Sequence, residues 1–219
     1  MSNEKNLVVI ESAAAEQVRL SRRALVQRLL TGMGAGATWP LLAGSHPIYE
    51  LLRSNDTILD QAEHLGAAKW KPALLTSQQN ELLTALAESI VPGSTRAHVS
   101  RFIDLLLSVD KLENHRKFVE SLTALDAEAQ KQYKKGFPAL NEEQKNTFLT
   151  DASTKPKGSN PAGGEADKKQ AALYSHFENL RGWISGAYYS SEVGMRELGW
   201  TSDYAFAAFP DCAHPEGHH

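Results

Sequence analysis

Leu173-Tyr174-Ser175-His176-Phe177-Glu178-Asn179-Leu180-Arg181-Gly182-Trp183-Ile184-Ser185-Gly186-Ala187-Tyr188 carries Leu173, Phe177, Leu180, Ile184 and Tyr188 at spacings of four, three, four and four. That is the stripe of a long amphipathic helix, and the pattern repeats upstream. Thr76-Ser77-Gln78-Gln79 has capping-box spacing, and Leu82, Leu83, Leu86, Ala87 and Ile90 follow on one face until Pro92-Gly93 ends the run. A second helix is expected from about Ala97 to Leu112, with Phe102, Ile103, Leu106, Leu107 and Val109 inward, and a third from about Asn114 to Leu125. Gly136-Phe137-Pro138 reads as a turn, and Asn141 with Gln144 caps a short helix bearing Phe148 and Leu149. No alternating strand pattern of useful length and no internal repeat interrupts this series. The expected fold is all-α, a single helical domain.

Two segments depart from the pattern. Residues 151–169 hold, prolines aside, no apolar side chain larger than alanine as far as Gly164, too little to offset ordering entropy, so a flexible loop is expected there. Residues 190–219 show little periodicity but many aromatic rings, and read as an irregular aromatic C-terminal arm.

The other end of the chain reads as an address. Ser21-Arg22-Arg23 precedes a weakly apolar, Gly- and Ala-rich run from Leu29 to Gly44, the form of a twin-arginine export signal for proteins that cross the membrane already folded. The run contains Pro40 and is too short for a confident membrane span. Ala43 and Ser45 suit a cleavage site, so residues 1–45 are taken as the signal region and 46–219 as the domain. The competing reading is an amphipathic helix with a basic edge. On the first reading the location is the periplasm. The remaining 174 residues suffice for one core, and their 18 basic and 23 acidic side chains give a net charge of −5, which argues against a nucleic-acid partner.

Motifs for chemistry are sparse. Gly32, Gly34 and Ala37 match a dinucleotide-binding pattern but lack the strand-to-helix context that would give it meaning, so no cofactor site is expected in this chain. Asp211-Cys212-Ala213-His214, followed by His218 and His219, gathers soft-metal donors, with Cys212 and His214 the candidate ligands. Against this stand Pro215 and Gly217, the lack of a second spaced pair and the habitual mobility of terminal histidines. As the lone cysteine of an exported chain, Cys212 could pair with another chain, bind metal or stay free. Ser190-Ser191-Glu192 fits a helix cap better than a nucleophile, and no catalytic residue is assigned. Nine of the 17 aromatic residues fall between Tyr174 and Phe209. Because Tyr and Trp concentrate at protein–protein hot spots, Tyr188, Tyr189, Trp200, Tyr204, Phe206, Phe209 and Cys212 form the candidate partner interface; the alternative is a tail packed on its own helices.

The twin-arginine leader, Leu82-Leu83-Thr84-Ala85-Leu86-Ala87-Glu88-Ser89-Ile90-Val91-Pro92-Gly93, Phe102-Ile103-Asp104, the Gly136-Phe137 turn, and Phe177-Glu178-Asn179-Leu180-Arg181 leading into Gly186-Ala187-Tyr188-Tyr189-Ser190-Ser191-Glu192-Val193-Gly194-Met195 occur in that order. This set resembles the gluconate 2-dehydrogenase subunit 3 family, small twin-arginine-bearing subunits of periplasmic flavin-dependent sugar and sugar-acid dehydrogenases. The resemblance implies a helical, non-catalytic subunit whose leader carries out a larger FAD-containing catalytic subunit of the GMC type. It further implies the twin-arginine translocase as a partner, a cytochrome as a possible electron acceptor, and substrates among gluconate, glucose or the 3-hydroxyl of glycosides. Phe209-Pro210-Asp211-Cys212-Ala213-His214-Pro215 looks like the glycoside-oxidising branch. A free-standing periplasmic metal- or haem-binding module built on Cys212 and His214 is the alternative, and an enzyme with a site hidden from sequence is a third.

Overall fold

The stripe from Leu173 to Tyr188 becomes the spine of the molecule. A computed structural model describes residues 64–156 and 164–199 together with Leu51, Ile58, Gln61 and Ala62. Among the described residues the helices with defined bounds are, in chain order, α1 (Ser77–Ile90), α2 (Val99–Val109), α3 (Leu112–Tyr133), α4 (Glu142–Ser153), α5 (Glu165–Tyr189) and α6 (Glu192–Glu197), with a 3₁₀ turn at Phe137–Ala139 before α4. Among the described residues there is no strand, so the all-α expectation holds. Helix α5 packs on all five others, most extensively on α3. All five stripe residues are buried, with Trp183 and Ala187 beside them. The Trp183 ring meets Phe118 of α3 edge-on, centroids 5.7 Å apart, and Phe137 of the turn meets Phe148 of α4 at the same distance.

Local signals start the helices where expected. The Thr76 side chain accepts from the Gln79 amide while the Gln79 side chain accepts from the Thr76 amide, and Asn141 and Gln144 make the same reciprocal pair. The 3₁₀ turn is held to α3 by Asp126, which accepts from the Phe137 amide at 2.8 Å.

One face of α2 staples the segment ahead of α1. Asp104 is 1% exposed, and its carboxylate accepts from the backbone amides of Ala73, Leu74 and Leu75 at 2.6, 3.1 and 2.7 Å. One turn earlier, Arg101 donates to the Leu65 carbonyl at 2.6 Å and the Ala67 carbonyl at 3.3 Å, with its guanidinium 4.9 Å from the centre of the Trp70 ring. The three amides supply the hydrogen bonds a carboxylate needs once it leaves water.

Four expectations need correction. Helix α2 spans Val99–Val109, narrower than Ala97 to Leu112, because Asp110 accepts from the Lys111 amide and the Asn114 side chain and turns the chain into α3. Val109 is accordingly 44% exposed rather than inward. Helix α3 runs on past Leu125 to Tyr133, burying Ala129. The flexible loop expected over 151–169 does not hold at its two ends: α4 reaches Ser153 with Ala152 buried, and α5 begins at Glu165; residues 157–163 lie outside the described residues. Gln170 of α5 donates to the carbonyls of Asp151 and Thr154, satisfying the end of α4, while Glu165 and Asp167 suit the positive end of the α5 dipole. Lys169 adds a 2.7 Å ion pair with Glu128 of α3. Burial alone would push the Glu128 carboxyl up, but hydrogen bonds from Lys169 and Gln132 outweigh it and hold the pKa below the ordinary glutamate value. Its contribution to stability is therefore present at neutral pH and lost as pH falls below about 4.5.

Candidate functional site

The C-terminal arm starts as structure, and this is the main revision of the sequence reading. Tyr188 and Tyr189 close α5; Ser190 and Ser191 are buried; α6 follows at once. Ser191 caps α6 by accepting from the Gly194 amide at 3.2 Å, and its hydroxyl donates to the Tyr188 carbonyl at 2.6 Å. Gly194 lies so close to that carbonyl that a Cβ would fall far inside contact distance of its oxygen. Met195 plugs the inner side of α6, 1% exposed. Only with glycine at this position can the chain turn this corner so tightly.

Tyr188 is the hinge pin of the corner. Tyr188 is 2% exposed and packs in the protein's own core, while also lining the cleft described below. The Tyr188 hydroxyl donates to Glu197 at the end of α6 at 2.8 Å and reaches Gly93, whose φ of +92° lets the α1–α2 loop approach; a Cβ on Gly93 would sit 3.2 Å from that hydroxyl. Glu88 fastens the same loop from α1, accepting from the amides of Gly93 at 2.8 Å and Thr95 at 2.7 Å. Burial opposes ionisation of Glu88, yet these amides outweigh it and keep its pKa below the usual glutamate value. For Tyr188, burial and the Glu197 carboxylate act together and push the phenol up from 10 to about 12. The folded protein thus holds a proton that the unfolded chain releases, and stability falls as pH rises from 10 towards 12. A spectrophotometric titration of the wild type against Tyr188→Phe is expected to show one phenol ionising near 12; its appearance near 10 would mean that neither the burial of this phenol nor its Glu197 contact holds in solution.

Outside this pin lies an open cleft between the α1–α2 loop and α6. Pro92, Arg96, Tyr188, Val193, Arg196 and Glu197 are among its lining residues. Tyr189 is half-buried against the core, its ring edge-on to Tyr188 with centroids 5.2 Å apart. Leu198, next along the chain, is 40% exposed. Trp200, Tyr204, Phe206, Phe209, Cys212 and His214 lie outside the described residues, as do Ser21, Arg22 and Arg23 of the export signal.

A serine, a histidine and an asparagine meet where sequence gave no hint. Ser121 of α3 lies 3.1 Å from Nδ1 of His176 and 3.0 Å from Nδ2 of Asn179, both on α5. The Ser121 hydroxyl also lies 2.9 Å from the Lys117 carbonyl, to which it can donate, and its oxygen accepts from the Asn179 amide. Ser121 is 2% exposed, out of reach of a substrate. The trio is a polar clasp between α3 and α5. Among the described residues no three His, Cys, Asp or Glu side chains gather as a metal site would require, and no helix is long and apolar enough to cross a membrane.

No curated protein and no solved structure matches the chain. The family model described as gluconate 2-dehydrogenase subunit 3 matches residues 77–210, well over half of the chain, from the first residue of α1 through α6 and beyond it. With these six helices and the α5–α6 corner lying inside that match, the chain belongs to the gluconate 2-dehydrogenase subunit 3 family, a subunit of a dehydrogenase complex that has a catalytic subunit as its partner.

Proposed function

We propose that this protein is the non-catalytic small subunit that stabilises a larger flavin-bearing catalytic subunit of the GMC type and takes it to the periplasm. The observation that carries this reading is the family match over residues 77–210. The sequence supports it with a twin-arginine address at Arg22-Arg23, which suits export of a folded pair, and with aromatic residues concentrated towards the C-terminus. In this division of labour the partner would hold the flavin, which would supply the redox chemistry at a sugar hydroxyl, with an acceptor such as a cytochrome taking the electrons. This chain supplies the surface on which that subunit is held. Substrates would be sugars, sugar acids or glycosides, and the twin-arginine translocase would be the export partner.

Purification from the native host tests the reading. A tagged chain is expected to bring down a yellow complex containing a second, larger chain, whereas the chain purified alone is expected to show neither flavin absorbance nor sugar dehydrogenase activity. Stoichiometric flavin bound to the single chain, or a metal-loaded monomer with no second chain, would overturn it.

A further inference from the structure

The residues just ahead of α1 belong to the core although they precede the family match, which starts at Ser77. Ile58, Ala62 and Leu65 fall at spacings of four and three, and all three are buried together with Leu75 in the same apolar cluster as Phe102 and Ile103 of α2. From residue 64 to 75 the chain contains neither helix nor strand, so its backbone must find partners elsewhere. Helix α2 supplies them to this strap. Asp104 accepts from three of its amides, and Arg101, one turn earlier, donates to two of its carbonyls and lies over the Trp70 ring. These bonds span 29 to 36 positions of sequence, so they exist only in the folded body. Helix α2 is itself packed on α1, α3 and α5, and docking of the strap therefore reports that the bundle has assembled.

We infer that the strap is a folding-dependent tether for the export address: docked on α2 it makes the chain competent to leave the cytoplasm, and undocked it holds the chain back. The inference rests on the twin-arginine address proposed above. Arg23 lies 35 positions before Ile58, and the strap stands in the chain between that address and the family domain. A route that accepts folded cargo needs a difference between folded and unfolded chains that it meets close to the address. The strap provides one. Loose, it gives Ile58, Leu65 and Leu75 to water and lengthens the free chain that follows the arginines; docked, it buries all three and joins the address closely to the body. Because both polar anchors sit one turn apart on a single helix, losing either weakens the strap before the bundle behind it.

The test follows the full chain in its native host by cell fractionation, with hydrogen exchange measured on the purified protein. Asp104→Asn turns one accepting oxygen into a donor that faces a backbone amide, and Arg101→Gln takes the guanidinium away from the two carbonyls and from Trp70. Strap amides are expected to exchange about tenfold faster in both variants, the equivalent of one hydrogen bond to a charged group, while α5 amides are unchanged. The share of the chain that reaches the periplasm should fall several-fold in the same two variants. Gly194→Ala is the control: it disturbs α6 and leaves the strap bonds in place, so it should be exported as wild type although it costs more overall stability than Asp104→Asn. Wild-type export of Asp104→Asn and Arg101→Gln, or equal retention of Gly194→Ala, overturns the tether and leaves the address standing. Strap amides that exchange as in the wild type in both variants overturn it as well. Export that survives Arg22→Lys with Arg23→Lys overturns the address and the tether together.

Discussion

Asp104→Ala is expected to lower the stability of the protein by about 3 kcal/mol, because three backbone amides lose a charged acceptor at once and at least one of them is sealed from water. Asp104 is 1% exposed, and its oxygens take the amides of residues 73–75 from across 29 to 31 positions of sequence. An alanine leaves a void where the carboxylate stood and no route for water to the Leu75 amide, which is the buried member of the three. Asp104→Asn retains one carbonyl oxygen and should lose about half as much. Chemical denaturation checks this: the midpoint should drop at an unchanged slope, since the surface exposed on unfolding stays the same. A loss under about 1 kcal/mol would show that the segment ahead of α1 is not held by this carboxylate.

Gly194→Ala is expected to cost about 2–3 kcal/mol, at the upper end for an overpacked site. The added methyl collides with the carbonyl oxygen of Tyr188, a backbone atom that cannot swing aside as a side-chain tip would. Relief requires α6 to move, and movement breaks the Ser191 cap and draws Met195 out of the core. The thermal midpoint should fall by roughly 5–10 °C. An alanine variant with wild-type stability would mean that α6 does not turn back on Tyr188 as described.

Both sites expose the boundary of what sequence reading reached. The helix starts at Thr76 and Asn141 were legible because a capping box is complete within four residues, and the α5 stripe was legible because a helix repeats its own face. The end of α3 was not, since its last turns bury little beyond Ala129 and leave no apolar rhythm to follow. Helix α6 was read as an irregular arm for a related reason. A six-residue helix with a central glycine has no periodicity to read beyond the cap offered by Ser190-Ser191, and it exists here because Tyr188, Ser191 and Met195 hold it in place. Tyr188 itself was assigned to a docking surface on residue type; its burial depends on Gly93, which no local pattern ties to it. Asp104 stood in plain view, but its three partners lie about thirty residues upstream, and the staple that they form emerges only from the fold. The Ser121, His176 and Asn179 clasp was hidden likewise, its members 55 and 58 positions apart.

Cell fractionation of the native host carrying Arg22→Lys together with Arg23→Lys tests the proposed co-export most directly. A translocation receptor that reads paired guanidinium groups does not accept two ammonium groups in their place. If this chain takes its flavin-bearing partner out of the cytoplasm, the double variant should leave both chains, and the sugar dehydrogenase activity with them, in the cytoplasmic fraction. Dehydrogenase activity at wild-type level in the periplasm of that strain would contradict it.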